Sequence, residues 1–295
     1  MSLDKLKDYD FGVVSFSEYK KYKNVKNKDW IKSIIVFIFP YSGKIPDESG
    51  YLTAKYAYGK DYHQVIKTKL EKLAKSLELE EYEVMTDISF LDEKLCASLA
   101  GLGRLGKNNL LLTPKYGSRV LIGEIVTSEE FPETSTDLSN PCLECSLCIK
   151  KCPTEALNEG FQKEKCLSFL SQTKGSNYSL YDKMNLVVGC DICQDFCPLN
   201  KGENPYFEEF RFDSKSSLTL QDIGGLDDES FRELYQDKAF VFLGYWKLLR
   251  NLLMLEANQE KLKPQDLERF ASLSDELWFK SHLEYLKGRI NNGKD

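Results

Sequence analysis

Two stretches, PCLECSLCIKKCPTEAL at 141–157 and GCDICQDFCPLN at 189–200, decide how this chain is read. The first carries Cys142, Cys145, Cys148 and Cys152 as C-x2-C-x2-C-x3-C-P. That is the bacterial ferredoxin run, in which the fourth cysteine serves the other of two [4Fe–4S] clusters. The second carries Cys190, Cys193 and Cys197 as C-x2-C-x3-C-P, one cysteine short of the full run, and Cys166 in KEKCLSF (163–169) can supply it. Following the ferredoxin crossing, one cluster takes Cys142, Cys145, Cys148 and Cys197, and the other takes Cys152, Cys166, Cys190 and Cys193. Pro153 and Pro198 each follow a crossing cysteine and turn the chain away. Structural zinc or disulfides are the competing uses of such thiols, but zinc knuckles use C-x2-C pairs, not a triplet followed by C-P.

Composition sets the outer bounds. The chain has 295 residues, enough for two compact domains or one plus a small insert. Charged residues make up 29% and hydrophobic ones 42%, as in a folded globular protein. The net charge of −6 gives no overall basic field for nucleic acid. The longest clean apolar run, IIVFIF at 34–39, is far too short to span a bilayer. Clustered thiols and the absence of an apolar leader at the start predict a reducing, cytoplasmic setting and no membrane partner.

Residues 11–18 and 33–40 read as strands, the second apolar enough to be buried. Apolar residues recur at helical spacing from Asp61 to Leu79, and 82–86 reads as a strand. A helix follows over 91–100, with Cys96 as a small buried residue outside the clusters. Gly101, Gly103 and Gly106 then form G-x-G-x-x-G. A dinucleotide loop needs a strand before it and a helix after it. Here a helix precedes and a strand, RVLIGEIVT, follows, so a nicotinamide site is set aside. These glycines allow close backbone approach to something flat or anionic, with Lys107 and Asn108 as donors, or they form a plain turn. From Asp227 onward the pattern is helical.

Two clusters need a destination for their electrons. No haem attachment signature is present, and the only histidines are His63 and His282. At this point the sequence resembles the epoxyqueuosine reductases, cobalamin-dependent iron–sulfur enzymes. The likeness rests on KYAYGKDYH (55–63), TDISFLDEK (86–94), AGLGRLGKNN (100–109), the cysteine segment, and LDDESFRELYQ with GYWKLLRNLLMLEAN (226–258), in that order.

The resemblance implies an α/β (α+β) N-terminal cobalamin-binding domain over 1–137. It implies an inserted bacterial ferredoxin-like two-cluster module over 138–205, and a small C-terminal helical region over 206–295, a remnant of helical repeats. It implies base-off cobalamin without a histidine beneath the cobalt, bordered by Tyr56, Tyr58, Tyr62, His63, Asp87 and the 101–109 loop. For the tyrosines, packing is the alternative. The implied reaction reduces epoxyqueuosine to queuosine in tRNA, with electrons passing through both clusters to cobalt from a low-potential donor such as ferredoxin or flavodoxin. Asp87 stands where the family has its proton donor, which calls for a raised pKa, and Glu93 matches a family glutamate. The sequence departs from the family pattern after Asp87, where it has Ile88-Ser89-Phe90, and at Arg104, where a tryptophan is usual. The alternatives are a corrinoid iron–sulfur reductase acting on a small molecule or on a corrinoid protein, and a plain electron-transfer protein.

Overall fold

Residues 33–40 are apolar at both parities, so the strand they form must be covered on both faces. In the structure, a computed structural model that describes residues 3–134, 138–142, 144–200 and 202–292, all eight of these residues are buried. In chain order the first elements are β1 (Asp10–Ser15), α1 (Phe16–Lys20), β2 (Ser33–Pro40), β3 (Tyr51–Leu52), α2 (Tyr62–Ser76), β4 (Tyr82–Met85) and α3 (Glu93–Leu99). Then come β5 (Arg104–Leu105), β6 (Leu111–Leu112), β7 (Val120–Thr127) and β8 (Ser217–Leu218), followed by helices at Asp228–Leu234, Tyr245–Asn258, Pro264–Leu273 and Leu277–Asn292. Among the described residues, no helix is long and apolar enough to cross a membrane.

The chain divides into two compact units. One comprises 1–44, 60–148 and 194–211. Its sheet has the order β1-β2-β7-β4, antiparallel throughout. Gly123 on β7 leaves room for α2, since a Cβ there would meet Ile66 and Leu70 at 2.6 and 2.8 Å. The alternate residues of the sheet, among them Val36, Ile122 and Val126, pack with Cys96 and Ala97 of α3. Helices thus cover both faces of an antiparallel sheet. The strand expected over 11–18 stops at Ser15, because the Ser15 hydroxyl accepts the Glu18 N–H at 3.1 Å and caps α1.

The other unit comprises 45–59, 149–193 and 212–295. Its core joins Leu167, Tyr181 and Val187 to Phe231, Leu248, Leu252 and Phe279. The C-terminal helices are therefore no separate tail: they share one core with the middle of the cysteine segment, 149–193. The two units follow different lines from the three stretches 1–137, 138–205 and 206–295. The physical reason is that the cysteine segment is not closed on itself: its two ends, up to 148 and from 194, belong to the first unit and its middle, 149–193, to the second. The expected border at 137 lies outside the described residues.

Candidate active site and cluster cysteines

Asp61 is the N-cap of α2, accepting the His63 N–H at 3.0 Å. The same carboxylate oxygen lies 2.7 Å from His63 Nδ1, and His63 Nε2 lies 3.2 Å from Asp87 Oδ2. The imidazole therefore bridges two carboxylates, with its face stacked on Tyr62 at 3.9 Å between centroids. Burial alone would pull His63 down, but the bonds to Asp61 and Asp87 outweigh it and hold the ring up to about 9. His63 is the cation of this row at neutral pH.

Asp87 sits just beyond β4 with φ of +56°, a left-handed turn that aspartate tolerates. Its side chain is 57% exposed. The sequence reading calls for a raised pKa here, and the structure reverses it. The hydrogen bond from His63 holds the Asp87 carboxyl below the usual range, against the opposing effect of burial. Protons are held one layer deeper. The Asp87 N–H donates to Glu93 Oε2 at 3.3 Å. Burial, then the charge of Asp87, pushes Glu93 up to about 7. Glu124, fully buried on β7, is pushed up to about 8 by burial and then by the charge of Glu93, while Ser89 Oγ donates to it at 3.2 Å. Sequence reading missed Glu124, whose only local signal was a charge inside an apolar strand.

Tyr62, Asp87, Glu93 and Lys94 line a small open cleft whose remaining lining is mostly aliphatic, including Leu111 and Ile122. Ile88, beside Asp87, is 86% exposed. An ionic corner beside apolar wall and an exposed aliphatic residue suits the edge of a flat, largely apolar group with polar substituents. The cleft cannot enclose a molecule as large as cobalamin, and its lining would suit only one edge of such a group.

The remaining residues of the expected set have these surroundings. Gly101, at φ +75°, ends α3, the conformation that favours glycine at a helix C-terminus. A Cβ on Gly103 would meet the Leu112 carbonyl at 2.6 Å, and one on Gly106 the Leu112 side chain at 2.6 Å. These two glycines are thus required by the β5–β6 hairpin itself. Lys107 donates to the Cys145 carbonyl at 2.8 Å, and the buried Asn108 accepts the Leu110 N–H at 3.3 Å. Each thus meets the protein's own backbone. Tyr56 and Tyr58 belong to the other unit. Tyr58 is buried there, edge-on to Phe212, and its carbonyl accepts Ser216 Oγ at 2.8 Å. It is a packing residue, the alternative already open for these tyrosines.

The cysteines divide with the units. Cys142, Cys145, Cys148 and Cys197 lie in the first unit, and Cys152, Cys166, Cys190 and Cys193 in the second. Electrostatics groups them in the same way. Burial raises the Cys197 thiol, with Cys142 and Cys145 adding to the effect. Burial also pushes Cys190 up to about 12, with Cys166 and Cys152 contributing. None of the nine cysteines, all among the described residues, forms a disulfide. Nor do any three His, Cys, Asp or Glu side chains among the described residues form a site for a single metal ion. A cubane places each thiolate on a different iron and asks for a wider spread than one tetrahedral zinc does. Each unit supplies four cysteines, the number one cubane takes. In the first unit Asn200 locks the Cys197 loop to the start of β7, accepting the Ser118 N–H at 2.7 Å and donating to the Gln194 carbonyl at 2.8 Å.

Fold and site together define a double-cluster iron–sulfur protein with a distinct ionic cleft in its α/β unit. Residues 141–200 match the family model for a 4Fe-4S double cluster binding domain, and 26–89 match the one described as epoxyqueuosine reductase QueG, DUF1730. An epoxyqueuosine reductase from Leadbetterella byssophila is 33% identical over 237 residues, covering 77% of this chain and 78% of that protein. One from Staphylococcus aureus is 31% identical over 244 residues, covering 77% of this chain but 64% of its own length. A crystal structure of an epoxyqueuosine reductase with an epoxyqueuosine-modified tRNA-Tyr stem loop superposes with a TM-score of 0.84, at 24% identity, over 95% of this chain and 86% of that one. The chain belongs to the epoxyqueuosine reductase family, and it has the fold of that enzyme.

Proposed function

We propose that this chain reduces epoxyqueuosine in tRNA to queuosine. The observation that carries the reading is the Asp61–His63–Asp87 row at the mouth of the cleft, in the unit that also holds Cys142, Cys145, Cys148 and Cys197. Family membership and the tRNA stem loop bound by the solved relative support the substrate. The two clusters are assigned to the two cysteine sets, and a low-potential ferredoxin or flavodoxin is the proposed donor.

Turning an epoxide into an alkene takes up two electrons and two protons and releases water. Cobalamin, when bound, would supply the low-potential metal centre at which the electrons meet the substrate. Asp87, Ile88 and Tyr62 would border its edge. The protein's own part is the protons. Asp87 is the more exposed of the two carboxylates that line the cleft, and His63 holds a proton 3.2 Å behind it. Asp87 acts as the relay from His63 to the opening oxygen, rather than as an acid protonated at rest. Glu93, about half protonated near pH 7, is a second store beside the Asp87 backbone. The test is anaerobic reconstitution with iron, sulfide and cobalamin, followed by turnover on epoxyqueuosine-containing tRNA. Queuosine should form. Fully loaded protein that leaves the epoxide intact would point instead to a small molecule or a corrinoid protein as substrate.

A further inference from the structure

Arg250 and Asn251, adjacent on the helix Tyr245–Asn258, are both fully buried. A buried guanidinium is costly unless its donors are satisfied. Arg250 Nη2 donates to the carbonyls of Leu170 at 3.3 Å and Thr173 at 2.9 Å, and Nε donates to Asn251 Oδ1 at 2.7 Å, while Nη1 has no hydrogen-bond partner among the described residues. Its planar group lies over the Tyr181 ring at 4.4 Å. Asn251 Nδ2 donates to two carbonyls, Ser171 at 2.8 Å and Val187 at 2.7 Å.

These carbonyls belong to two loops that each carry an expected cluster ligand. Leu170 and Ser171 end the short helix that starts directly after Cys166, and the Leu170 N–H donates back to the Cys166 carbonyl at 2.9 Å. Val187 leads into Gly189 and Cys190. The loops are also tied to each other, because the Gly189 N–H donates to Ser171 Oγ at 2.9 Å. Core packing alone needs only apolar side chains at these helix positions. Satisfying carbonyls on two separate loops from neighbouring residues is a positional constraint.

We propose that Arg250 and Asn251 are positioning residues for the second cluster: from one helix they fix the loops of Cys166 and Cys190 so that both thiolates reach the same cubane. This rests on the two-cluster reading above, and the test keeps the two apart. The full chain is reconstituted anaerobically, briefly exposed to a chelator, and read by iron content and by electron paramagnetic resonance of the reduced protein. Cys166→Ser defines the spectrum of protein lacking the second cluster. Asn251→Ala is expected to fall from about eight to about four irons per chain and to give that same residual spectrum. Ser171→Ala, nearly isosteric, removes only the hydroxyl that holds the Gly189 N–H. It should keep its iron and parental circular dichroism while the second cluster's signal and midpoint potential shift and the first cluster's do not. The parental spectrum and potential in both Asn251→Ala and Ser171→Ala, or equal loss of both clusters in Asn251→Ala, would overturn the positioning role. Should Cys166→Ser itself keep about eight irons, it is the ligand assignment that falls, and the proposal with it.

Discussion

Asp87→Asn separates the relay from simple acid chemistry, because it acts on a neighbouring group that can be observed directly. The substitution keeps size and hydrogen-bonding capacity but removes one of the two negative charges facing His63. Together those carboxylates overcome the burial penalty and hold the imidazole from its usual 6.5 up to about 9. Asp61 makes the shorter bond, 2.7 Å against 3.2 Å, and Asp87 is the more exposed partner. Screening at that exposed carboxylate makes its share the smaller. His63 in Asp87→Asn should therefore titrate below the parental value while staying above 6.5. The assay is unusually clean, since the chain has only two histidines and His282, fully buried, is held well below 6.5 by burial and then by the charges of Arg250 and Arg289. Histidine-labelled protein should give one resonance that titrates near 9 in the parent and lower in the variant. Turnover should fall about 10²- to 10⁴-fold, as for loss of a positioned proton-transfer group. A parental His63 titration would mean that the ion pair does not form. A lowered titration with full turnover would mean that the proton reaches the oxygen by another route.

Stability should follow the same groups. The His63 ion pair stabilises fully below about pH 6.5 and is lost as pH rises through about 9, so His63→Gln should flatten that limb of a melting-temperature profile. Glu124 carries the opposite lesson. Its folded pKa of about 8 lies above the usual 4.5, so stability declines from about pH 4.5 to 8 as the unfolded chain ionises first. Glu124→Gln should remove that decline and be more stable than the parent at pH 8.5 by on the order of a few kcal/mol, read by thermal melts. Gly103→Ala should destabilise by about 1–3 kcal/mol whether or not cofactor is present, because its Cβ meets the Leu112 carbonyl. An unchanged melting temperature would show that the hairpin yields freely.

Local signals were legible. The apolar run at 33–40 formed the strand with the same bounds, and the helical spacing from Asp61 gave α2 with its cap. Cys96 is buried in α3 as its setting implied. What the sequence hid was set by long-range placement. His63 was visible as one of two histidines, but nothing local showed its ring between Asp61 and Asp87, and that neighbour reverses the charge expected of Asp87. The glycines at 103 and 106 carried a real constraint, though its source is the hairpin they belong to. Domain borders were illegible for a related reason. The cysteine segment looks continuous along the chain, yet its two ends belong to one unit and its middle, 149–193, shares the core of the other.

The claim on which the rest depends is the conversion of the epoxide on tRNA. It is tested most directly by expressing this chain in a bacterial strain deleted for its own epoxyqueuosine reductase, grown with cobalamin, and analysing the nucleosides of its tRNA by mass spectrometry. The account predicts that queuosine replaces epoxyqueuosine with the parental chain but not with Asp87→Asn. Persistent epoxyqueuosine alongside parental protein that carries both clusters and cobalamin would contradict it.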